Sequence, residues 1–371
     1  MSPVDPGWAK VPVMLVTGVA DTPMAAAAMG LQWDLPNPVV VVHDLDPSRS
    51  LLVRTVSDIT GVLERVEIEL EHACTQCAIR EDVIPTLARL AADGRWSSIV
   101  ARLPVGAEAA QVCRVIAREP RRAPRVRIGG VICALDATSL TDDLTGPDWL
   151  AERNLAMPDD QRGVAEVAAA QIEYADVVAV FGRTPPAEAD LLDFTRALAR
   201  PGSMVVTDWP GFDGRQLLAG IHDHEHSEAW VHPVPDLPGA VAGNPAVWRL
   251  SLQSERPWHP DRFLELVEAM GAGTHRSRGC FWLPTRPGAV GVWDGAAGQV
   301  SLGAIGRWAP GHTPVTHLIF TGLHLHGDPR AELGEAFHRC LLTDREMARG
   351  TVWESGRDGL EPWLGGIHGV A

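Results

Sequence analysis

Val39-Val40-Val41-Val42 and Val177-Val178-Ala179-Val180-Phe181 contain no polar residue that could turn toward water. A strand with one solvated face alternates apolar and polar residues. A run that does not alternate is buried on both faces, as the strands of a parallel sheet are. Such runs demand helices between them to cover both faces, and the chain supplies them. Ile79, Val83, Leu87 and Leu90 recur at helical spacing, and Ala107–Ala117, Ala165–Tyr174 and Asp190–Leu198 read as further helices. Between these helices lie short strands at Ser98–Ala101, Val126–Leu135 and Met204–Val206. Val66-Glu67-Ile68-Glu69-Leu70-Glu71 alternates strictly, as a half-buried or edge strand does. Residues 1–215 therefore read as an α/β domain with a mostly parallel sheet and helices on both faces.

The opening of this domain has the outline of a phosphate loop. The strand Val11–Thr17 runs into Gly18, and an alanine-rich helix starts soon after. The phosphate-loop pattern is G-x-x-x-x-G-K-S/T, in which backbone amides, a lysine and a hydroxyl hold phosphates and Mg²⁺. Counted from Gly18, the second glycine is Pro23, the lysine is Met24 and the hydroxyl residue is Ala25. Pro23 offers no N–H. Met24 carries no charge, and Ala25 carries no oxygen. No nucleotide is expected here, although strand–glycine–helix is also a common arrangement with no phosphate role.

The segment Asp208–Pro245 is rich in Pro, Gly and His, and residues 216–246 read as a linker. His222, His224 and His226 alternate with acids there, either as a weak metal-capturing run or as a solvated connection. Residues 247–350 form an α+β pattern with strands near Trp248–Leu250, Gly279–Leu283, Ala289–Trp293 and His317–Phe320. Helices are expected at Pro260–Met270 and Arg330–Cys340. Residues 351–371 read as a tail. Thirteen tryptophans stand against one tyrosine. Trp293, Trp308, Trp353 and Trp363 are either core or a partner-binding surface.

A net charge of −15 argues against a phosphate-binding surface over the whole molecule. Arg114–Arg127 is a local arginine-rich run, read as a solvated connection. No N-terminal signal and no apolar run of ~18 residues is present, so the chain reads as cytoplasmic with no membrane partner. Six cysteines in this length are no disulfide framework.

Cys74 and Cys77 are the strongest chemical feature. The C-x-x-C spacing lets two thiolates converge on one Zn²⁺. His72 lies two residues before Cys74 and is the third candidate ligand. Water, a histidine of 222–226 or a partner's side chain would complete the set. A helix beginning near Ala78 would favour thiolate over thiol. A redox pair and two inert thiols are the alternatives. Cys113, Cys133, Cys280 and Cys340 sit in apolar patterns and read as buried.

Several ordered motifs together resemble the CobW family of zinc-linked P-loop GTPases and metallochaperones. The opening resembles that family's P-V-x-x-L-T-G, and Cys74-Thr75-Gln76-Cys77-Ala78-Ile79-Arg80-Glu81-Asp82 resembles its C-x-C-C-x-x-R-x-D, which supplies metal-binding thiolates. Val131–Ala137 resembles its V-V-x-V-x-D-A strand. Arg256–Arg262, Arg278–Leu283 and Cys340–Asp344 resemble signatures of the family's C-terminal domain. The departures concern nucleotide. Besides the opening loop, Arg102-Leu103-Pro104-Val105 stands where the family has E-T-x-G. Phe181-Gly182-Arg183-Thr184 stands where it has the guanine-reading N-K-x-D. A C-x-x-C member without nucleotide motifs resembles the actinobacterial Mpy recruitment factors. That resemblance implies a zinc-responsive binding protein whose partner is a ribosome hibernation factor or a small-subunit ribosomal protein. The alternative is a GTP-dependent zinc metallochaperone.

Overall fold

Both alternations of the first strand are fully buried, with Val13 and Leu15 on one face and Met14 and Val16 on the other. That pattern places β1 at the middle of a sheet covered on two sides. The computed structural model describes residues 10–71, 74–183, 189–234, 245–324, 327–350, 353 and 358–366. The chain divides into two units. The first holds residues up to 143 together with 148–186 and 199–231, and the second holds 144–147, 187–198 and 232 onward.

The first unit is an eight-stranded sheet in the order β4-β3-β2-β5-β1-β6-β7-β8. In chain order its elements begin with β1 (Val11–Thr17), α1 (Asp21–Asp34), β2 (Pro38–Asp46), β3 (Leu51–Asp58) and β4 (Gly61–Glu69). A short α2 (Thr75–Ala78) passes through a π-helical turn, Ile79–Val83, into α3 (Ile84–Asp93). Then come β5 (Ser98–Arg102), α4 (Ala109–Arg118), β6 (Val126–Asp136), α5 (Leu140–Thr145), α6 (Val164–Tyr174) and β7 (Val177–Phe181). The strands from β2 across to β8 run parallel, and β3 and β4 add an antiparallel hairpin at one edge. The alternating run at 66–71 falls largely in β4, the edge strand, one of the two readings its pattern allowed. Its partner β3 has no regular alternation, which is why the hairpin was not expected.

Two departures from the sequence reading follow from tertiary packing. After α7 (Ala189–Leu198) and β8 (Met204–Val206), the segment taken as the start of a linker folds. Gly214–Ala219 is a 3₁₀ turn and α8 (His224–Val231) is a helix within the first unit. Trp230 and Ser227 of α8 are buried, so a locally polar stretch is held by a few inward side chains. The arginine-rich run takes part in this packing, since Arg114 Nε donates to Glu228 of α8 at 2.9 Å. The other departure is α7. It was read as one of the helices of the first domain, yet it belongs to the second unit and packs on strands there.

The second unit is an antiparallel five-stranded sheet in the order β12-β11-β10-β13-β9. Its strands are β9 (Val247–Ser254), β10 (Arg276–Phe281), β11 (Ala289–Ala296), β12 (Gln299–Arg307) and β13 (Thr316–Leu323), with helices α9 (Pro260–Gly271) and α10 (Arg330–Cys340). An aromatic core holds it together. Trp258 stacks on Phe263 at 4.9 Å and on Phe281 at 5.2 Å between ring centroids. Trp293 is fully buried in that core, whereas Trp363 is exposed. Gly279 has no substitute in β10, because a Cβ there would lie 1.9 Å from the His317 carbonyl oxygen of β13.

Candidate functional site

The carboxyl edge of a parallel sheet is where α/β proteins bind ligands. Here that edge is filled from within. After Gly18 the chain needs only Val19 and Ala20 before α1 begins at Asp21, so no wide loop wraps a cavity. The Gly18 carbonyl accepts from the Gly106 N–H at 2.9 Å and from Gln171 Nε2 at 3.3 Å. Met24 is fully buried, and a Cβ on Gly18 would lie 2.9 Å from Met24 Cγ. The side chain at the lysine position thus fills the space under the loop with hydrocarbon.

Arg102, at the end of β5, reaches across this edge. It is buried and donates both to Asp21 in the first turn of α1 and to Asp44 of β2. Asp21 supplies the negative charge that a helix N-terminus attracts. Burial and the Asp21 carboxylate hold Asp44 above the ordinary carboxylate range, although Arg102 pulls it down. Gly182 and Arg183 follow β7, and Thr184 lies outside the described residues.

The thiols stand elsewhere, beyond the hairpin. Cys74 is the N-cap of α2, and its Sγ accepts from the Cys77 N–H at 3.0 Å. The Sγ atoms of Cys74 and Cys77 are 2.6 Å apart, and both residues are partly exposed. The hydrogen bond with the Cys74 sulfur, then burial and the nearby charges, push the Cys77 thiol up to about 11. The N-terminus of the helix that runs from α2 through the π-helical turn into α3 pulls the other way. Two convergent soft donors are half of a tetrahedral zinc site. His72, the third expected ligand, lies outside the described residues. Among the described residues no group of three or more His, Cys, Asp or Glu side chains is arranged to hold a metal ion. Cys74 opens into a cleft of about 290 Å³ lined also by Ser50, Glu71, Met157, Asp159 and Arg162.

The histidines of 222–226 do not converge on a metal. His222 Nδ1 is 3.0 Å from Asp176 Oδ2, buried beside Arg200, and His224 Nδ1 is 3.1 Å from the Tyr174 hydroxyl. Cys113, Cys133, Cys280 and Cys340 are buried, as their patterns implied.

A polar network behind the thiols escaped sequence reasoning. The π-helical turn directly after Cys77 carries Asp82, which is buried. Its carboxylate accepts from His43 of β2 at 2.9 Å and from Arg54 of β3. Arg54 also donates to Glu64 of the edge strand, from Nη2 at 2.6 Å. Two strands of the sheet thus grip the turn that follows the cysteines, and the third, through Glu64, steadies Arg54. Burial raises Asp82, but His43 and Arg54 outweigh it and hold the carboxyl below its ordinary value. The only sequence signal was the arginine and aspartate spaced after the cysteine pair.

With this geometry in place, comparison with known proteins is informative. Residues 51–183 match the family model described as CobW/HypB/UreG, nucleotide-binding domain. Residues 247–341 match cobalamin synthesis protein cobW C-terminal domain. A protein of Mycobacterium tuberculosis (strain ATCC 25618 / H37Rv) named as a zinc chaperone is 27% identical over 400 residues, spanning 95% of this chain and 94% of its own length. Zinc-regulated GTPase metalloprotein activator 1 of Dictyostelium discoideum is 18% identical over 407 residues, spanning 96% of this chain and 85% of its own length. Among solved structures, the Zn(II)-bound YjiA GTPase from E. coli is 15% identical, with a TM-score of 0.36, covering 90% of this chain and all of that one.

Proposed function

We propose that this chain, which belongs to the CobW family, binds zinc through Cys74 and Cys77 and acts as a binding protein that does not turn over nucleotide. The observation that carries the second half is Arg102, held between Asp21 and Asp44 at the carboxyl edge of the sheet. A phosphate at the start of α1 would have to displace the Asp21 carboxylate from the buried Arg102 and then meet the buried side chain of Met24. The match to the nucleotide-binding model begins at residue 51, beyond the opening loop, which agrees with that loop having been rebuilt. Support for the zinc half comes from the two convergent sulfurs and from the names of the mycobacterial and Dictyostelium relatives. When bound, zinc supplies a point of exchangeable coordination. Cys74 and Cys77 would hold it, and the cleft beside Cys74 would admit water or an incoming side chain as a further donor, with His72 the additional candidate from the sequence.

The finer reading is zinc-responsive recruitment of a ribosome hibernation factor. It rests on the resemblance to the Mpy recruitment factors, with its C-x-x-C and its missing nucleotide motifs. The second reading, a GTP-dependent zinc metallochaperone, has the Dictyostelium relative's name behind it. Titration calorimetry with GTP and Mg²⁺ separates the two. The binding-protein reading expects no heat of binding at micromolar GTP and no Mg²⁺-dependent hydrolysis. Micromolar affinity with hydrolysis would establish the chaperone reading instead.

A further inference from the structure

We propose that the outer edge of β4 takes up an extended, lysine- or arginine-bearing peptide as an added strand. β4 is the terminal strand of its sheet, bonded among the described residues to β3 alone. The Leu70 N–H donates to the Ser50 carbonyl at 2.9 Å, which fixes the alternation along the strand. In an antiparallel pair, successive residues point their backbone groups toward the partner and then away. With the register Ile68↔Leu52, Val66↔Arg54 and Glu64↔Val56, the even residues bond inward to β3. Arg65, Glu67 and Glu69 therefore aim their N–H and C=O groups outward, where nothing among the described residues pairs with them.

The side chains select the occupant. Glu67, Glu69 and Glu71 are exposed and form no ion pair among the described residues, unlike Glu64, which Arg54 and Arg89 hold. At the hairpin end of the same strand, Ile59, Val62 and Leu63 are 77%, 67% and 44% exposed. A strand with an apolar end and an acidic run complements an extended segment that alternates apolar and basic residues. A second copy of this chain is the rival occupant, since antiparallel β4–β4 pairing centred on Glu67 opposes two glutamates but sets Arg65 against Glu69, and sedimentation decides between the two. Backbone bonds would give affinity and the acids specificity, as in other strand additions. This inference does not depend on zinc at the thiols or on the fate of nucleotide.

The test uses the full-length protein and a labelled peptide of about ten residues alternating lysine and valine. Fluorescence anisotropy should show saturable binding that weakens with salt. An alternating glutamate–valine peptide should not bind. A lysine–glycine peptide of the same charge should bind at least about tenfold more weakly, because it lacks strand propensity. Glu67→Pro removes one outward N–H without touching the β3 ladder and should abolish binding. If Glu67→Pro fails to fold by circular dichroism, the Glu67→Lys/Glu69→Lys variant decides, since it keeps the backbone and reverses the charge. The proposal is overturned if no peptide binds, or if the acidic peptide binds equally. Unchanged binding in the deciding variant, or a dimer in sedimentation that Glu67→Pro dissolves, overturns it as well.

Discussion

His43 Nε2 lies 2.9 Å from Asp82 Oδ1 and ties a fully buried ring on the second strand to the turn behind the cysteine pair. Arg54 holds the other oxygen of the same carboxylate. Removing the carboxylate leaves the buried His43 ring without its partner and a partly buried Arg54 with Glu64 and Thr86 alone. Asp82→Ala should therefore destabilise the first unit by about 3 kcal/mol in urea denaturation. The same variant should weaken Co²⁺ binding and alter its thiolate charge-transfer band, because the turn positions Cys77. A loss of stability with an unchanged band would make the network structural alone.

Acid should expose this network. Asp82 is held below its unfolded value of 3.8, so the unfolded chain takes up its proton first. The stability it contributes is present above that value and is lost as pH falls through the lower folded value. Asp82→Asn should flatten this part of the stability curve below about pH 4, leaving a variant whose denaturation midpoint changes less as acid is added. Parallel curves for the two proteins would remove Asp82 from the acid response.

Replacing both thiols leaves the sheet untouched. Cys74→Ser/Cys77→Ser should lower zinc content by about one per chain while the melting curve stays cooperative. Unchanged zinc by atomic emission would place the metal elsewhere. Loss of zinc together with unfolding would make the site structural rather than exchangeable. For the recruitment reading, the folded zinc-free variant should either bind the hibernation factor constitutively or fail to bind it.

Met24 distinguishes a rebuilt loop from a hidden one. Met24→Lys restores the phosphate-loop lysine, but its ammonium would enter a fully buried site. The expected result is a loss of stability of about 3 kcal/mol that GTP and Mg²⁺ do not reverse. Restoration of the melting temperature by GTP would show that a phosphate cradle persists.

The parts of the fold legible in the sequence were those with local patterns. The unbroken valines of β2 announced a doubly covered strand, and the alternation at Val66–Glu71 announced the edge. Leu51–Asp58 offered no clean period, because Arg54 turns inward to meet Asp82, so its hairpin was missed. The helix His224–Val231 was hidden by its composition, since its hold on the first unit comes from Trp230 and Glu228 rather than from helical periodicity. At the candidate site, the spacing of Cys74 and Cys77 was readable, but His43 is 39 residues from Asp82. Arg102 was noticed only as a missing glutamate. That it closes on Asp21 and Asp44 is a fact of two strands and the start of a helix meeting, which no linear motif records.

The placement of α7 bears on how the chain is made. Leu191, Phe194 and Leu198 form its buried side, and they pack against β13 and β9. Translation delivers this helix before either strand has left the ribosome. During that interval its apolar side has no native cover, and the nascent chain must shield it by chaperones or by temporary non-native contacts. A C-terminal fragment begun at Val247 would meet the opposite difficulty. It would contain every strand of its sheet and lack the helix that covers two of them.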